Sequence, residues 1–264
     1  VRPAEAHDQT LLEAALLGHA ARRGLSPKVR SVALDRRSST LVLEAVGTAF
    51  PARAGEPQLR ALGRTLAALH ALPLPSAVTL VEVPVKLGPY AEECTELAER
   101  LGARAWAKAL RRALVPWARG LDAATQPREP VLCHGDLKRS NLRRSGGRVL
   151  LVDFEAARWA EPAWELANTA LCLGLTAEEE DLLLESYAPP RARAPLAERF
   201  HAYRLLGLVF FPLDMLDRVR AAKAAGAPLR GRSALALTPL HAERARQALS
   251  ALDGRALPPL TGLG

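Results

Sequence analysis

The chain has 264 residues, of which 49% are hydrophobic and 24% are charged, and its formal net charge is +8. This composition is typical of a globular protein and excludes collagen, coiled coil and disorder as descriptions of the whole chain. No apolar run reaches the roughly 20 residues that cross a bilayer, and no signal peptide is visible, so we expect a cytoplasmic protein without a membrane span. Three scattered cysteines exclude a disulfide framework.

The positive charge comes mostly from arginine, and the arginine pairs are spread along the chain. Such a charge favours anionic partners, among them nucleotides, phosphorylated metabolites and nucleic acid. Nucleic acid is the least favoured of these, because no nucleic-acid-reading module accompanies the charge.

The first half of the chain alternates helical and strand patterns. The spacing of apolar residues predicts a helix over 10–21, strands over 28–34 and 39–45, a loop over 47–57, a helix through Leu59, Leu62, Leu66 and Leu69, and a long helical region over 90–118.

The pattern changes at Pro130, where a short apolar segment leads into a polar loop and then a hairpin around Ser145-Gly146-Gly147. The rest is predicted to be helical, over 164–173, 176–187, 196–223 with an interruption at Pro212, and 240–252. Because parallel βαβ alternation is missing, a Rossmann sheet is not expected.

Polar residues cluster around the predicted hairpin. Asp136 and Asn141 lie five residues apart on the polar loop, and Asp153 follows the second hairpin strand. A hairpin returns the chain beside its start, so these oxygen-bearing side chains are expected to converge, with Lys138 nearby. Asn141 and Asp153 would hold nucleotide-bound Mg²⁺, and Asp136 would accept the proton of an attacking hydroxyl. The alternative is that these residues only form turns.

Two motifs carry a resemblance to a known superfamily. His134 to Asn141 reads H-G-D-L-K-R-S-N and resembles the catalytic loop of the aminoglycoside phosphotransferase and choline kinase superfamily, which is itself similar to protein kinases. Val152 to Glu155 resembles its metal-binding corner, and the segment 160–167 resembles its G-D-P-x-x-D-L-A motif with Ala for Gly and Glu for Asp. The Asp-Phe-Glu sequence is most similar to the choline, ethanolamine and thiamine kinase branch.

By position, this resemblance implies Asp136 as catalytic base, Lys138 as a catalytic cation beside the transferring phosphoryl group, and Asn141 and Asp153 as Mg²⁺ ligands. His134 is expected to be a packing and hydrogen-bonding support.

The resemblance also implies which residues would bind the nucleotide. Glu44, Ala45 and Val46 would form the hinge that pairs with adenine. Arg2 resembles the cation of the small lobe and Glu13 its helix carboxylate, although Glu5 competes with Glu13 and a terminal Arg2 could be merely solvated.

The resemblance implies four residues that would contact the acceptor, and each of them has an alternative role. Glu155 and Glu165 would face its positive group, or cap a helix or form a core ion pair. Trp159 and Trp164 would line its pocket, or simply pack.

The expected fold is α+β, a protein-kinase-like two-lobed fold with a truncated N-lobe over 1–47 and a helical C-lobe over 48–264. The first two strands of the family and their phosphate loop would lie before Val1. The expected reaction transfers the γ-phosphoryl group of ATP to a hydroxyl of a small molecule, with Mg²⁺, and the expected acceptor is a choline-, ethanolamine- or thiamine-like cationic alcohol. The alternatives are an aminoglycoside or sugar phosphotransferase, a nucleotide-binding pseudokinase and a basic nucleic-acid-binding protein. The oligomeric state is left open.

Overall fold

The computed structural model describes residues 3–35, 39–73, 79–81, 83, 86–125, 129–226 and 238–260, with side chains from His7 onward. Short strands and longer helices alternate along the first two thirds of the chain, and helices follow. In chain order the elements are α1 (Pro3–Ala21), β1 (Val29–Leu34), β2 (Ser39–Leu43), β3 (Thr48–Ala49), α2 (Glu56–His70), α3 (Leu87–Arg100), α4 (Arg104–Ala109), a π-helical turn (Leu110–Leu114), α5 (Val115–Ala124), β4 (Val131–Cys133), β5 (Leu142–Ser145), β6 (Arg148–Leu151), β7 (Arg158–Ala160), α6 (Pro162–Leu173), α7 (Ala177–Tyr187), α8 (Pro190–Ala224) and α9 (Thr238–Asp253).

All strand pairs in the described residues are antiparallel. The sheets are β1-β2, β3-β5-β6 and β4-β7. The α+β class is therefore confirmed, and no parallel Rossmann sheet occurs in this part of the chain.

The chain divides into two compact units. The first comprises Val1–Val83 and Glu129–Ala197, and the second comprises Pro84–Arg128 and Glu198–Gly264. These units do not coincide with the predicted lobes over 1–47 and 48–264. The boundary between lobes at residue 47 stays a prediction.

In the first unit, α2 forms as the leucine spacing predicts. Leu59, Leu62, Leu66 and Leu69 are fully buried. The helix packs closely on α7, where a Cβ added to Gly63 would lie 2.7 Å from the Leu183 carbonyl oxygen. Apolar burial of this face is what stabilises the helix in the unit.

In the second unit, the expected long helix over 90–118 is divided. It breaks after Arg100, where Gly102 takes a left-handed φ of 71°, and a π-helical turn separates α4 from α5. Asp122 of α5 accepts hydrogen bonds from the backbone N–H groups of Leu87 and Gly88 at 3.0 and 2.8 Å. This carboxylate satisfies two of the free N–H groups at the start of α3.

The predicted interruption at Pro212 is wrong, because α8 continues through it. Proline lacks the N–H that would bond to the Leu208 carbonyl and costs about 3 kcal/mol in a helix interior. The neighbouring Val209, Leu213 and Leu216 are almost fully buried. Burial of these side chains offsets the lost hydrogen bond and keeps the segment helical.

Two very short strands, β3 and β7, are not predicted from the sequence. β3 lies within the expected loop over 47–57 and pairs with Arg143 and Arg144 of β5. β7 follows the corner at Asp153 and pairs with β4. Strands of two or three residues are too short to show alternation, so only their partners define them.

No helix in the described residues is both long enough and apolar enough to cross a membrane.

Candidate active site

The polar loop and the hairpin meet as the spacing predicts. β4 leads into the loop, a 3-10 turn over Arg139–Asn141 enters β5, and β6 returns the chain to Asp153. The backbone N–H of Val152 donates to the Asn141 carbonyl at 3.0 Å. The end of the loop and the residue before Asp153 therefore lie side by side.

Within the loop, Asp136, Lys138 and Asn141 contact one another. The Asn141 amide Nδ2 donates to the Asp136 carboxylate oxygen Oδ2 at 3.1 Å and to its backbone carbonyl at 2.9 Å. The Lys138 ammonium also donates to Oδ2 of Asp136. Among the described residues nothing bonds to Oδ1, and the Asp136 side chain is 29% exposed. The carboxylate is thus held by one oxygen and presents the other.

Asp153 lies at a strained corner. Its φ of 70° and ψ of 69° make it the one non-glycine residue with positive φ in the described part of the chain. The following Phe154 N–H hydrogen-bonds to the Glu13 carboxylate of α1. Burial, and then the charges of Asp153 and Glu155, raise the pKa of Glu13. The three carboxylates therefore lie near one another.

Lys138 is the cation facing these carboxylates. Burial alone lowers its pKa, but the hydrogen bond from Lys138 to Asp136 and the charges of Asp136, Asp153 and Glu155 raise it overall. The amine is accordingly held in its charged form.

The donor set fits a hard divalent cation. Asn141 is 3% exposed, and its amide N–H groups donate to Asp136. Its Oδ1 accepts from the Ser140 hydroxyl at 3.1 Å and keeps a second lone pair. Asp153 and Glu13 add carboxylate oxygens, and together with Glu155 they carry more negative charge than Lys138 balances. Oxygen ligands with excess negative charge are what Mg²⁺ prefers.

His134 joins the catalytic loop to the corner as a neutral side chain. It is fully buried, its Nε2–H donates to the Val152 carbonyl at 2.9 Å, and its Nδ1 accepts a long bond, at 3.4 Å, from the Asp136 N–H. Burial lowers its pKa. A neutral imidazole with both nitrogens occupied supports the loop and leaves no free nitrogen for chemistry.

Beneath the loop lies a buried network that connects α2, α6 and α7. The Glu165 carboxylate accepts from the Gly135 N–H at 2.8 Å and pairs with His70 Nε2 at 2.7 Å. His70 Nδ1 bonds to the Tyr187 hydroxyl at 2.8 Å. Glu165 is 2% exposed. The geometry therefore favours the core ion pair, which was one of its possible roles, rather than contact with an acceptor.

The other acceptor candidates lie around β7. Glu155 is exposed and Trp159 is half-buried, with the Trp159 backbone bonded to the backbone of Val81 and Val83 at 2.9 and 2.8 Å. Trp164 is buried, and the Arg158 guanidinium lies over its ring at 5.3 Å. Trp164 thus already packs against a cation of the chain itself.

The expected hinge follows β2. Glu44 bonds through its backbone N–H to the Lys28 carbonyl at 2.8 Å and through its carboxylate to Arg30 at 3.0 Å. Ala45 is exposed and Val46 half-buried. Arg2 lies outside the described residues, as does the side chain of Glu5.

His70, Tyr187 and Gly135 belong to the site but were missed as functional residues. The sequence signal for His70 is its place at the end of the Leu66-to-His70 segment of α2. Tyr187 is separated from His70 by 117 residues, and no local pattern connects them.

Comparison with known proteins gives a family and several similar folds. Residues 1–205 match the family described as APH, phosphotransferase enzyme family. No curated protein matches the sequence significantly.

Three solved structures illustrate the fold. A choline/ethanolamine kinase family protein from Mesorhizobium loti has a TM-score of 0.65 and 21% identity over 91% of this chain and 80% of its own. Choline kinase LicA from Streptococcus pneumoniae has a TM-score of 0.63 and 19% identity over 92% and 80%. A structure of LicA in complex with AMP has a TM-score of 0.61 and 19% identity over 92% and 79%.

At these identities the likeness establishes the fold alone, which is protein-kinase-like. The family match over residues 1–205, which includes the loop over 134–141 and the corner at Asp153, establishes the family as well. The chain belongs to the phosphotransferase enzyme family.

Proposed function

We propose that the protein transfers the γ-phosphoryl group of ATP to a hydroxyl group of a small cationic alcohol, such as choline, ethanolamine or thiamine. The observation that carries this proposal is Asp136, whose Oδ2 is held by Lys138 and Asn141 while Oδ1 is left for a substrate. A base held in this way fits proton abstraction from a hydroxyl.

In the proposed reaction, the acceptor oxygen forms a bond to the γ-phosphorus while the bond from this phosphorus to the bridging oxygen of ADP breaks. Asp136 takes the acceptor proton at Oδ1. Lys138 stabilises negative charge on the transferred group, because its own charge is maintained by the surrounding carboxylates. Positioning and electrostatics supply most of the rate in this chemistry.

Asn141 through Oδ1 and Asp153 through its carboxylate would hold Mg²⁺. The metal, when bound, would neutralise phosphate charge and orient the phosphates. The Glu44–Val46 segment would pair with adenine, and the AMP complex of LicA, a similar fold, supports nucleotide use.

A cationic acceptor is favoured by the charge of the site. Glu155 is exposed and lies near Asp153 and Glu13. Negatively charged carboxylates near the reaction centre attract a positively charged substrate. The named function of the similar choline kinase folds supports the same class. A cytoplasmic location, where ATP is available, stays a prediction.

The test is ATP consumption with and without Mg²⁺ against choline, ethanolamine, thiamine, an aminoglycoside and a simple sugar. We expect Mg²⁺-dependent turnover with one of the first three. Turnover with the aminoglycoside or the sugar instead would replace the acceptor class but keep the reaction. ATP binding without turnover on any of them would favour the pseudokinase alternative and contradict the proposal.

A further inference from the structure

A basic pocket lies in the second unit, and none of its lining residues belongs to the candidate active site. It has a volume of about 710 Å³, and its charged lining residues are Glu99, Arg104, Lys108, Arg111 and Arg112. Four cations thus face one carboxylate. They follow one another on α4 and the π-helical turn at spacings of four, three and one, so they share one side of the helix.

Two of these cations are already positioned by carboxylates. Arg111 forms an ion pair with Glu99, and Arg112 donates through Nε and Nη2 to both carboxylate oxygens of Asp253. Since a guanidinium has five N–H donors, each arginine keeps donors for a ligand. The carboxylates therefore orient the two arginines without using all of their donors.

The other two cations have no such partner. Arg104 and Lys108 are exposed, and neither forms a side-chain hydrogen bond or ion pair with a described residue. Lys108 also lies within electrostatic reach of the Asp253 carboxylate, whose pKa is lowered by the hydrogen bond from Arg112 and by the charges of Arg112, Arg255 and Lys108. Like charges four residues apart still repel each other and destabilise a helix slightly. A multiply charged anion between them would remove this repulsion.

Local backbone geometry supports a functional role for this pocket. The turn that carries Arg111 and Arg112 is π-helical, a rare conformation that occurs frequently at functional sites. Gly102, with its left-handed φ, lines the pocket and leaves open space where a side chain would lie. The π-helical turn and Gly102 therefore both border the concavity.

We propose that this pocket, whose lining includes none of the residues proposed for catalysis, binds a small polyphosphate anion, such as a nucleoside polyphosphate or a multiply phosphorylated metabolite. The volume falls within the range of about 300–1,000 Å³ that is typical of small-molecule sites. A concave pocket of this size suits a compact anion better than an extended nucleic-acid backbone. Arginine and lysine together provide the donors that phosphate oxygens accept.

The test is titration calorimetry of the full chain with inorganic tripolyphosphate in Mg²⁺-free buffer near 0.15 M ionic strength. The pocket variant is Arg104→Gln with Lys108→Gln. The matched control is Arg23→Gln with Arg64→Gln, which removes the same charge from two exposed residues of the first unit. A third variant, Lys108→Arg, keeps the pocket charge. Circular dichroism establishes that each variant is folded.

We expect saturable binding that weakens about tenfold or more in the pocket variant and changes about twofold or less in the control and in Lys108→Arg. Undetectable binding to the wild type, or equal affinity in the pocket variant and the wild type, would overturn the proposal. Affinity for a single-stranded oligonucleotide that rises with its length and is lost in the pocket variant would also overturn it, because it would assign the surface to nucleic acid.

Discussion

In the loop over 134–141, the backbone of Gly135 lies against the chain just after the corner at Asp153. Its φ is 82°, and a Cβ at this position would lie 2.1 Å from the Ala156 carbonyl oxygen. We expect Gly135→Ala to lower the free energy of unfolding by at least about 2 kcal/mol, because both the left-handed conformation and the contact are unfavourable. Urea unfolding measures this change.

Gly120→Ala is the control for that substitution. Gly120 lies in α5, and a Cβ there would contact nothing within 4 Å. We expect this variant to be unchanged or more stable by about 0.5–1 kcal/mol, as for other exposed helical glycines. Equal stability of the two alanine variants would contradict the account of Gly135.

His134 gives the stability a defined pH dependence. Burial lowers its pKa below the ordinary value of 6.5, so below that pH the unfolded chain binds a proton that the folded chain does not. Stability from this residue is therefore complete above about pH 6.5 and is lost as the pH falls toward the folded-state pKa. We expect the free energy of unfolding to fall less steeply between about pH 6.5 and 5 in His134→Gln than in the wild type.

The slope of stability against pH is the quantity to compare, since the glutamine variant can differ in absolute stability. Urea titrations at several pH values provide it. Identical slopes for wild type and His134→Gln would show that this histidine is not held neutral in the folded protein.

Among the elements, α2 and α6 are joined to the catalytic loop through one buried carboxylate. Glu165 bonds to His70 and to the Gly135 N–H, next to Asp136, the proposed catalytic base. We expect Glu165→Gln and His70→Gln each to lower kcat by about tenfold or more with little change in the KM for ATP, because each loosens the loop.

A double-mutant cycle separates this network from general damage. Because the two side chains contact each other, we expect the two losses of activity to be non-additive, with a coupling of about 0.5–3 kcal/mol. Additive effects on kcat would contradict a shared role.

At the same scale, some elements could be predicted from the sequence and others could not. α2, α7 and the hairpin carry leucine periodicity or a Gly-Gly turn, and all are confirmed within a few residues. The short strands β3 and β7 exist through backbone bonds to distant partners, and the Pro212 helix is maintained by burial. Local patterns contain none of this information.

The candidate site was predicted only in part, because some of its contacts also join residues that are distant in the sequence. Asp136, Lys138 and Asn141 lie on one short loop and contact each other as expected. Glu165 and His70 are joined only by the fold, so the internal use of Glu165 was one of two open alternatives. Spacing along the chain identifies residues on one loop but leaves partners from other helices undetermined.

At the scale of the whole molecule, the family match spans residues 1–205 and includes the loop over 134–141 and the corner at Asp153. Membership in the family defines the type of reaction more closely than the acceptor, since function depends on the site rather than the fold. The central claim is therefore the role of Asp136 in phosphoryl transfer.

The most direct test of this claim follows label from γ-³²P-ATP into the acceptor that the wild type uses. Rates are compared for the wild type, Asp136→Asn and the control Asp181→Asn, which alters an exposed carboxylate of α7. We expect Asp136→Asn to lower the transfer rate by about 10²–10⁴-fold, the range for loss of a general base, and Asp181→Asn to leave it unchanged. Transfer by Asp136→Asn at the wild-type rate would contradict the account.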